Sequence, residues 1–279
     1  MRAAIDFGIS NTDAVAELDG TYRYWSRPSD GTPDDAGVRA VLAAGGVDLD
    51  ALTAVAVTGG RHKLLPPIVA ARPVIAVPEV TAIGRGGQAL CLTADIDPDT
   101  PVLVVSAGSG TAVVSARGNA YAHVTGTGVG GGTLLGLSRL LLGTTDVSTI
   151  DAMAIRGDPN GADLALRDVT SGPIGALPPD ATAVNFGRIA KLAQSADPDD
   201  LAAALQTLVG QVIAITAINA ARAERIERVV LIGHMADMQS FRRVIAQVGI
   251  YYGKQVLIPV QAGFGTALGA LLFSEIATA

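Results

Sequence analysis

Thr125-Gly126-Thr127-Gly128-Val129-Gly130-Gly131-Gly132-Thr133-Leu134-Leu135-Gly136-Leu137-Ser138 is the stretch on which the reading of this chain turns. Five of the seven residues from Gly126 to Gly132 are glycine. Ordering them costs backbone entropy that a mere linker would not impose directly ahead of an apolar helix pattern. Amides exposed at a helix start form a ready anion site, so Gly128, Gly130, Gly131, Gly132 and Thr133 read as a wall that approaches phosphate. A flexible hinge is the alternative. The run is not a Walker loop, because it lacks Gly-Lys-Ser/Thr, and it lacks the early strand and distal acid of a dinucleotide fingerprint.

Two further segments have chemistry suited to phosphate. Ile5-Asp6-Phe7-Gly8-Ile9-Ser10-Asn11-Thr12-Asp13 is a strand entering a polar turn. Gly8 lets amides converge there, and Ser10 and Thr12 offer hydroxyls. Asp6 suits a Mg²⁺ held through water. Val102 to Val114 repeats the layout, with Gly108-Ser109-Gly110-Thr111 between two apolar strands. A plain hairpin accounts for either segment alone. Their recurrence favours two loops that clamp a triphosphate from both sides.

Composition narrows the class. With 49% hydrophobic and 16% charged residues, the chain is far from the polar mixture that stays disordered. A net charge of −6, without basic tracts, argues against nucleic acid or anionic lipid as partner. Cys91 is the single cysteine, which excludes an internal disulfide or a cysteine metal cage and points to a reducing cytoplasm. The most apolar stretch, Leu201 to Ala223, is broken by Gln206, Gln211 and Asn219, so a membrane span is not expected. The N-terminus has no secretory h-region. His62, His123 and His234 lack zinc spacing.

Strand patterns at Ala3–Ile5, Ala54–Val57, Val74–Val77, Val102–Val105 and Val229–Ile232 alternate with helical patterns at Asp34–Ala44, Thr81–Leu92, Gly132–Leu142 and Asp199–Arg225. That alternation indicates an α/β protein with buried sheets. The acidic, Pro-containing run from Thr93 to Pro101 reads as a boundary, dividing the chain into domains 1–95 and 96–279, and Gln194 to Asp200 as a loop. Gly233 ends a strand at the mouth of a helix, where α/β folds place ligands.

In order along almost the whole chain, these elements resemble type II pantothenate kinases, the fumble group in the superfamily of actin, hexokinase and the heat-shock ATPases. The glycine-rich run resembles that family's Gly-Thr-x-x-Gly-Gly-Gly-Thr. Thr58-Gly59-Gly60, Pro78-Glu79-Val80-Thr81-Ala82-Ile83-Gly84, Arg167-Asp168-Val169, Ala183-Val184-Asn185-Phe186-Gly187, Ile232-Gly233-His234 and Gly263 to Leu271 are similar to further family elements. The resemblance implies two ribonuclease-H-like (actin-like ATPase) domains flanking a nucleotide cleft, ATP and Mg²⁺ as cofactors, a homodimer, and a small-molecule acceptor. It implies Glu79 as the base that takes the acceptor's proton, a role its place between the strand Val74–Pro78 and a helix start supports. Ser109 is implied as a substrate ligand.

Two positions depart from the family. His123 stands where the family carries an arginine for the substrate carboxylate, and a mostly neutral imidazole cannot reproduce a bidentate clamp. Arg61, Arg85 and Arg117 are other sources of that charge. Asp13 stands in place of a lysine and would repel phosphate if it faced inward. Asn11 to Val15 is instead similar to the first loop of the hydantoinase and oxoprolinase branch. The leading expectation is an ATP-dependent kinase of pantothenate or a related hydroxylated acid or amide. A non-catalytic nucleotide-binding protein and an ATP-dependent cyclic-amide hydrolase are the alternatives.

Overall fold

The computed structural model describes residues 1–29, 33–91, 97, 99–172, 174–191 and 196–278. The expected boundary between residues 95 and 96 lies outside these residues, as does the start of the loop expected from Gln194. The chain begins with β1 (Arg2–Phe7), β2 (Asn11–Leu18), β3 (Thr21–Pro28), α1 (Asp35–Ala44), β4 (Val55–Thr58), β5 (Ile68–Val69), β6 (Arg72–Ala76) and α2 (Glu79–Cys91). There follow β7 (Val102–Ala107), β8 (Thr111–Arg117), β9 (Ala120–Thr127), α3 (Gly131–Leu142), α4 (Val147–Arg156), β10 (Leu164–Ala165), α5 (Leu166–Val169) and β11 (Thr182–Val184). The chain closes with α6 (Pro198–Glu224), β12 (Arg228–Ile232), α7 (Gln239–Tyr252), β13 (Val256–Leu257) and α8 (Gly265–Thr278).

Two mixed sheets share one plan. In the first, ordered β3-β2-β1-β4-β6-β5, β1 pairs antiparallel with β2 and parallel with β4. In the second, ordered β13-β12-β7-β8-β9, β7 pairs antiparallel with β8 and parallel with β12. Because side chains alternate across a sheet, each strand feeds two cores. Ala3, Ile5 and Phe7 pack with Val38 and Leu42 of α1, whereas Ala4 packs with Ala267, Leu268 and Leu271 of α8. In the second sheet, Leu103 and Val105 pack with Leu205, Val209 and Ile213 of α6, whereas Val102 and Val104 pack with Ile83 and Cys91 of α2.

The two halves therefore exchange helices. The helix that follows the first sheet, α2, lies on the second sheet, and the last helix, α8, lies on the first. The two helices touch at Gly86, where an added Cβ would lie 1.8 Å from Gly265 O, and at Gly269, where it would lie 1.8 Å from Ala82 O. Only glycine permits so close a crossing, and it holds the head of α2 between the sheets.

The long helix α6 is apolar enough to cross a membrane by length and composition alone, but most of its apolar stretch is buried within the fold. Its start is capped by Asp197, whose carboxylate accepts from Asp199 N, with Asp199 and Asp200 in the first turn, where negative charge suits the helix dipole. Sequence periodicity marks this helix and α1, α2 and α3 to within two residues; Leu92, the expected end of α2, lies outside the described residues.

Candidate active site

Period-2 alternation carries Asp6 to the same face of β1 as Ala4, the face turned toward α8 and the other half. The register sets Asp6 directly opposite Asp13 across the β1–β2 hairpin. In the second sheet the matching strand positions are Ser106 and Ala112, also paired across a hairpin. The loops of the two hairpins meet, with Ser10 Oγ 2.7 Å from Ser109 Oγ. Around that meeting point lies a cleft of about 670 Å³. Asp6, Ser10, Asp13 and Glu79 form its polar end, and Leu134, Leu135, Val147, Met235 and Met238 line an apolar part.

Of the expected residues, Asp6, Gly8, Ser10, Gly108, Ser109, Gly110, Thr111, Gly131, Gly233 and Glu79 line this cleft. Glu79 is exposed at the first position of α2. Gly233 has φ +102, and an added Cβ there would lie 2.4 Å from Ala107 O. It thereby binds the end of β12 tightly against the second hairpin.

Other expectations meet a different arrangement. The amides of Gly131 and Gly132 donate to Gly108 O at 2.8 Å and Ser109 O at 2.9 Å. The glycine run therefore braces the second hairpin loop, and these two amides are not free donors for an anion. Thr133 Oγ1 donates to Gly128 O at 3.1 Å, and Thr111 Oγ1 to Val129 O at 2.8 Å. Gly128, Gly130, Gly132 and Thr133 are absent from the cleft lining. Thr12 is buried with its hydroxyl 3.1 Å from Ser29 Oγ, because it sits one residue out of phase with Asp13 on the strand. His123 is exposed on the edge strand β9, outside the cleft lining.

Asp13 does not stand bare toward the cleft. Its carboxylate accepts from His234 Nε2 at 2.9 Å, and the other ring nitrogen, Nδ1, donates to Asp237 Oδ2 at 2.7 Å. The ring stands edge-on to Phe264. Burial alone lowers the basicity of His234, but its hydrogen bonds to Asp13 and Asp237, with their charges, outweigh that and raise its pKa to about 10. The imidazolium answers the two opposed carboxylates of the first hairpin, and it does so from the other half of the molecule. No short-range spacing could have revealed a partner so distant in sequence.

Burial, then the charges of Asp13 and Glu79, raise the pKa of Asp6 to about 8, with His234 pulling the other way. A carboxylate so disfavoured as an anion fits a cation brought by a ligand. Among the described residues no group of three or more His, Cys, Asp or Glu side chains could hold a metal directly. Asp6, a single carboxylate lining the cleft, has the donor chemistry that holds a hydrated Mg²⁺ through water.

Comparison with known proteins bears on this cleft. The Fumble family model matches residues 89–273. The chain belongs to the Fumble family. A type II pantothenate kinase of Oceanobacillus iheyensis is 29% identical over 219 residues, covering 78% of this chain and 81% of its own. One from Bacillus cereus is 26% identical over 222 residues, covering 79% and 80%. Among solved structures, the activator of the 2-hydroxyisocaproyl-CoA dehydratase from Clostridium difficile, with bound ADPNP, superposes with a TM-score of 0.66 at 15% identity, covering 99% of this Fumble chain and 94% of its own. A ROK family glucokinase from Streptomyces griseus, in complex with glucose and AMPPNP, gives 0.52 at 15% identity, covering 98% of each. The fold of this Fumble protein is that of the actin-like ATPases, two α/β units flanking a cleft.

Proposed function

We propose that this Fumble protein is an ATP-dependent kinase that phosphorylates a hydroxyl of pantothenate or of a related hydroxylated acid or amide. The observation that carries the reading is the convergence of Glu79, Asp6 and both hairpin loops on one cleft, in a chain whose relatives are named type II pantothenate kinases. The apolar part at Leu134, Leu135 and Met238 suits a nucleobase, and the loops at Gly8–Ser10 and Gly108–Gly110 suit phosphates. Ser10 and Ser109, which bond each other here, exchange that bond for phosphate or substrate oxygens when the cleft fills.

Glu79 accepts the proton of the acceptor hydroxyl as its oxygen attacks the γ-phosphorus, the bond from that phosphorus to the β–γ bridging oxygen breaks, and ADP leaves with the electron pair. Asp6 would hold a hydrated Mg²⁺ through water, and the ion, when bound, would supply positive charge for the phosphoryl oxygens. Asp13 acts on phosphate only indirectly, because His234 compensates its charge. By the same reading the working unit is a cytoplasmic homodimer, which sedimentation of the purified protein tests.

The deciding assay supplies MgATP and a panel of hydroxy acids and amides, and reads ADP and phosphorylated product. Glu79→Gln is expected to slow transfer about 100-fold or more while nucleotide binding persists. Full turnover in that variant overturns the assignment of the base. ADP formed together with a ring-opened acid would establish the amide hydrolase instead, and nucleotide binding without transfer to any acceptor would establish a binding protein.

A further inference from the structure

Four carboxylates line the cleft, those of Asp6, Asp13, Glu79 and Asp237, and among the described lining residues there is neither lysine nor arginine. The one lining side chain able to carry positive charge is His234. A nucleoside triphosphate brings several negative charges into this confined, acidic space, where like charges repel strongly. The amides of Gly131 and Gly132 are already spent on Gly108 and Ser109. Among the lining side chains, His234 alone is thus suited to answer a polyphosphate with a charged donor.

The ring of His234 is aimed by three contacts. Asp237 accepts from Nδ1 at 2.7 Å, Phe264 stands edge-on with ring centroids 5.3 Å apart, and an added Cβ at Gly263 would lie 2.6 Å from the ring. Phe264 in turn packs on Tyr24 of β3, with centroids 5.4 Å apart, so both halves share the seat. Nε2 is left pointing across the cleft to Asp13, at 2.9 Å. The two carboxylate partners differ in kind. Asp237 lies in the same single turn as His234, whereas Asp13 belongs to β2 in the other half. A ligand entering between the halves competes with Asp13 and leaves the Asp237 bond in place. Asp13 also has another donor at hand, because the register sets Ser26 opposite it across β2–β3, within reach of a cross-strand pair, and Ser26 lines the same cleft.

We propose that His234 binds the polyphosphate of the nucleotide, its Nε2–H passing from Asp13 to a phosphoryl oxygen when the cleft fills, and that Asp13 holds this donor in position until then. The proton stays on the ring throughout: one N–H···O bond breaks and another forms. The inference rests on the kinase reading of the cleft in that it takes a nucleoside triphosphate as the ligand, and it is independent of which acceptor is phosphorylated.

Equilibrium binding of MgATP and of adenosine tests it, on the native protein, His234→Gln, Asp13→Asn and the double variant. His234→Gln should weaken MgATP about 10- to 100-fold, the worth of a charge-assisted hydrogen bond, and leave adenosine unchanged. Asp13→Asn should tighten MgATP, and that gain should shrink in the His234→Gln background, where no donor remains to be released. If the imidazole instead stays on Asp13 when nucleotide binds, the gain grows in that background, because a bare carboxylate then meets the phosphates, and the proposal is overturned. Equal weakening of both ligands by His234→Gln, or weakening of neither, overturns it as well. Nitrogen NMR of the imidazole rings gives a reading that needs no variant to fold: MgATP should shift the Nε2 resonance of His234 far more than that of Nδ1, and an Nε2 resonance indifferent to MgATP removes the exchange. Transfer assayed alongside separates the two claims. Transfer without His234-dependent binding of MgATP removes this role alone, His234-dependent binding without transfer to any acceptor removes the kinase reading alone, and a native protein that binds no MgATP removes both.

Discussion

The two hairpins that meet in the cleft have the same backbone plan and opposite electrostatics. In β1–β2 the register opposes Asp6 to Asp13, and in β7–β8 it opposes Ser106 to Ala112. Like charges directly across a strand pair are destabilising. The first hairpin tolerates the pair because burial and the Asp13 charge push the pKa of Asp6 up to about 8, which leaves it largely protonated at neutral pH, and because His234 reaches Asp13 from the other half. The second hairpin has no charge to balance and is held instead by backbone, through Gly131 N, Gly132 N and the close seat of Gly233. One loop thus holds the acidic chemistry, and its counterpart supplies a stiff surface against which that chemistry is aimed.

The comparison breaks most visibly at its backbone anchor. Gly233→Ala forces a left-handed φ and a contact at 2.4 Å on Ala107 O, and should cost about 2–4 kcal/mol, read as a lowered denaturation midpoint. A variant as stable as the native protein would show that the second hairpin does not depend on this seat.

A smaller effect, and one that depends on pH, is expected at the charged hairpin. His234→Gln leaves the Asp13 carboxylate without its cation, at a cost of about 2 kcal/mol for a part-buried pair. The folded pKa of His234 is raised from 6.5 to about 10. Its contribution is therefore complete below pH 6.5 and is lost as pH climbs to about 10. The difference in Tm between native protein and variant should shrink over that window, and a difference independent of pH would remove the charge argument.

The smallest effect belongs to the hydroxyl contact between the loops. Ser10→Ala removes an exposed hydrogen bond of 2.7 Å to Ser109 and should cost about 0.5 kcal/mol of stability. Nucleotide binding should weaken by more than that, since the hydroxyl is proposed to face phosphate. Loss of stability that matches the loss of binding would make the contact structural only.

Several parts of this arrangement were legible in residue order. Apolar runs that end in glycine marked β1, β7 and β12, helical periodicity marked α2 and α6, and the ordered motifs around Glu79 and Gly126–Thr133 pointed to the Fumble family. The glycine run itself misled in one respect. Its amides at Gly131 and Gly132 look free in sequence, yet they are consumed by Gly108 and Ser109, because a glycine run suits close approach to backbone as well as to phosphate. Thr12 likewise has the right chemistry and the wrong phase, since on a strand its neighbour Asp13 takes the cleft face.

The sequence by itself determined the local elements, the period-2 faces that send Asp6 and Ser106 toward the same cleft, and the membership that the motifs signal. These depend on neighbours within a few residues, where sterics and alternation suffice. Tertiary structure alone decided that α2 and α8 exchange places between the sheets and that His234 neutralises Asp13. Those outcomes depend on which surfaces pack together, and electrostatic partners so far apart in the chain leave no spacing for a sequence pattern to record.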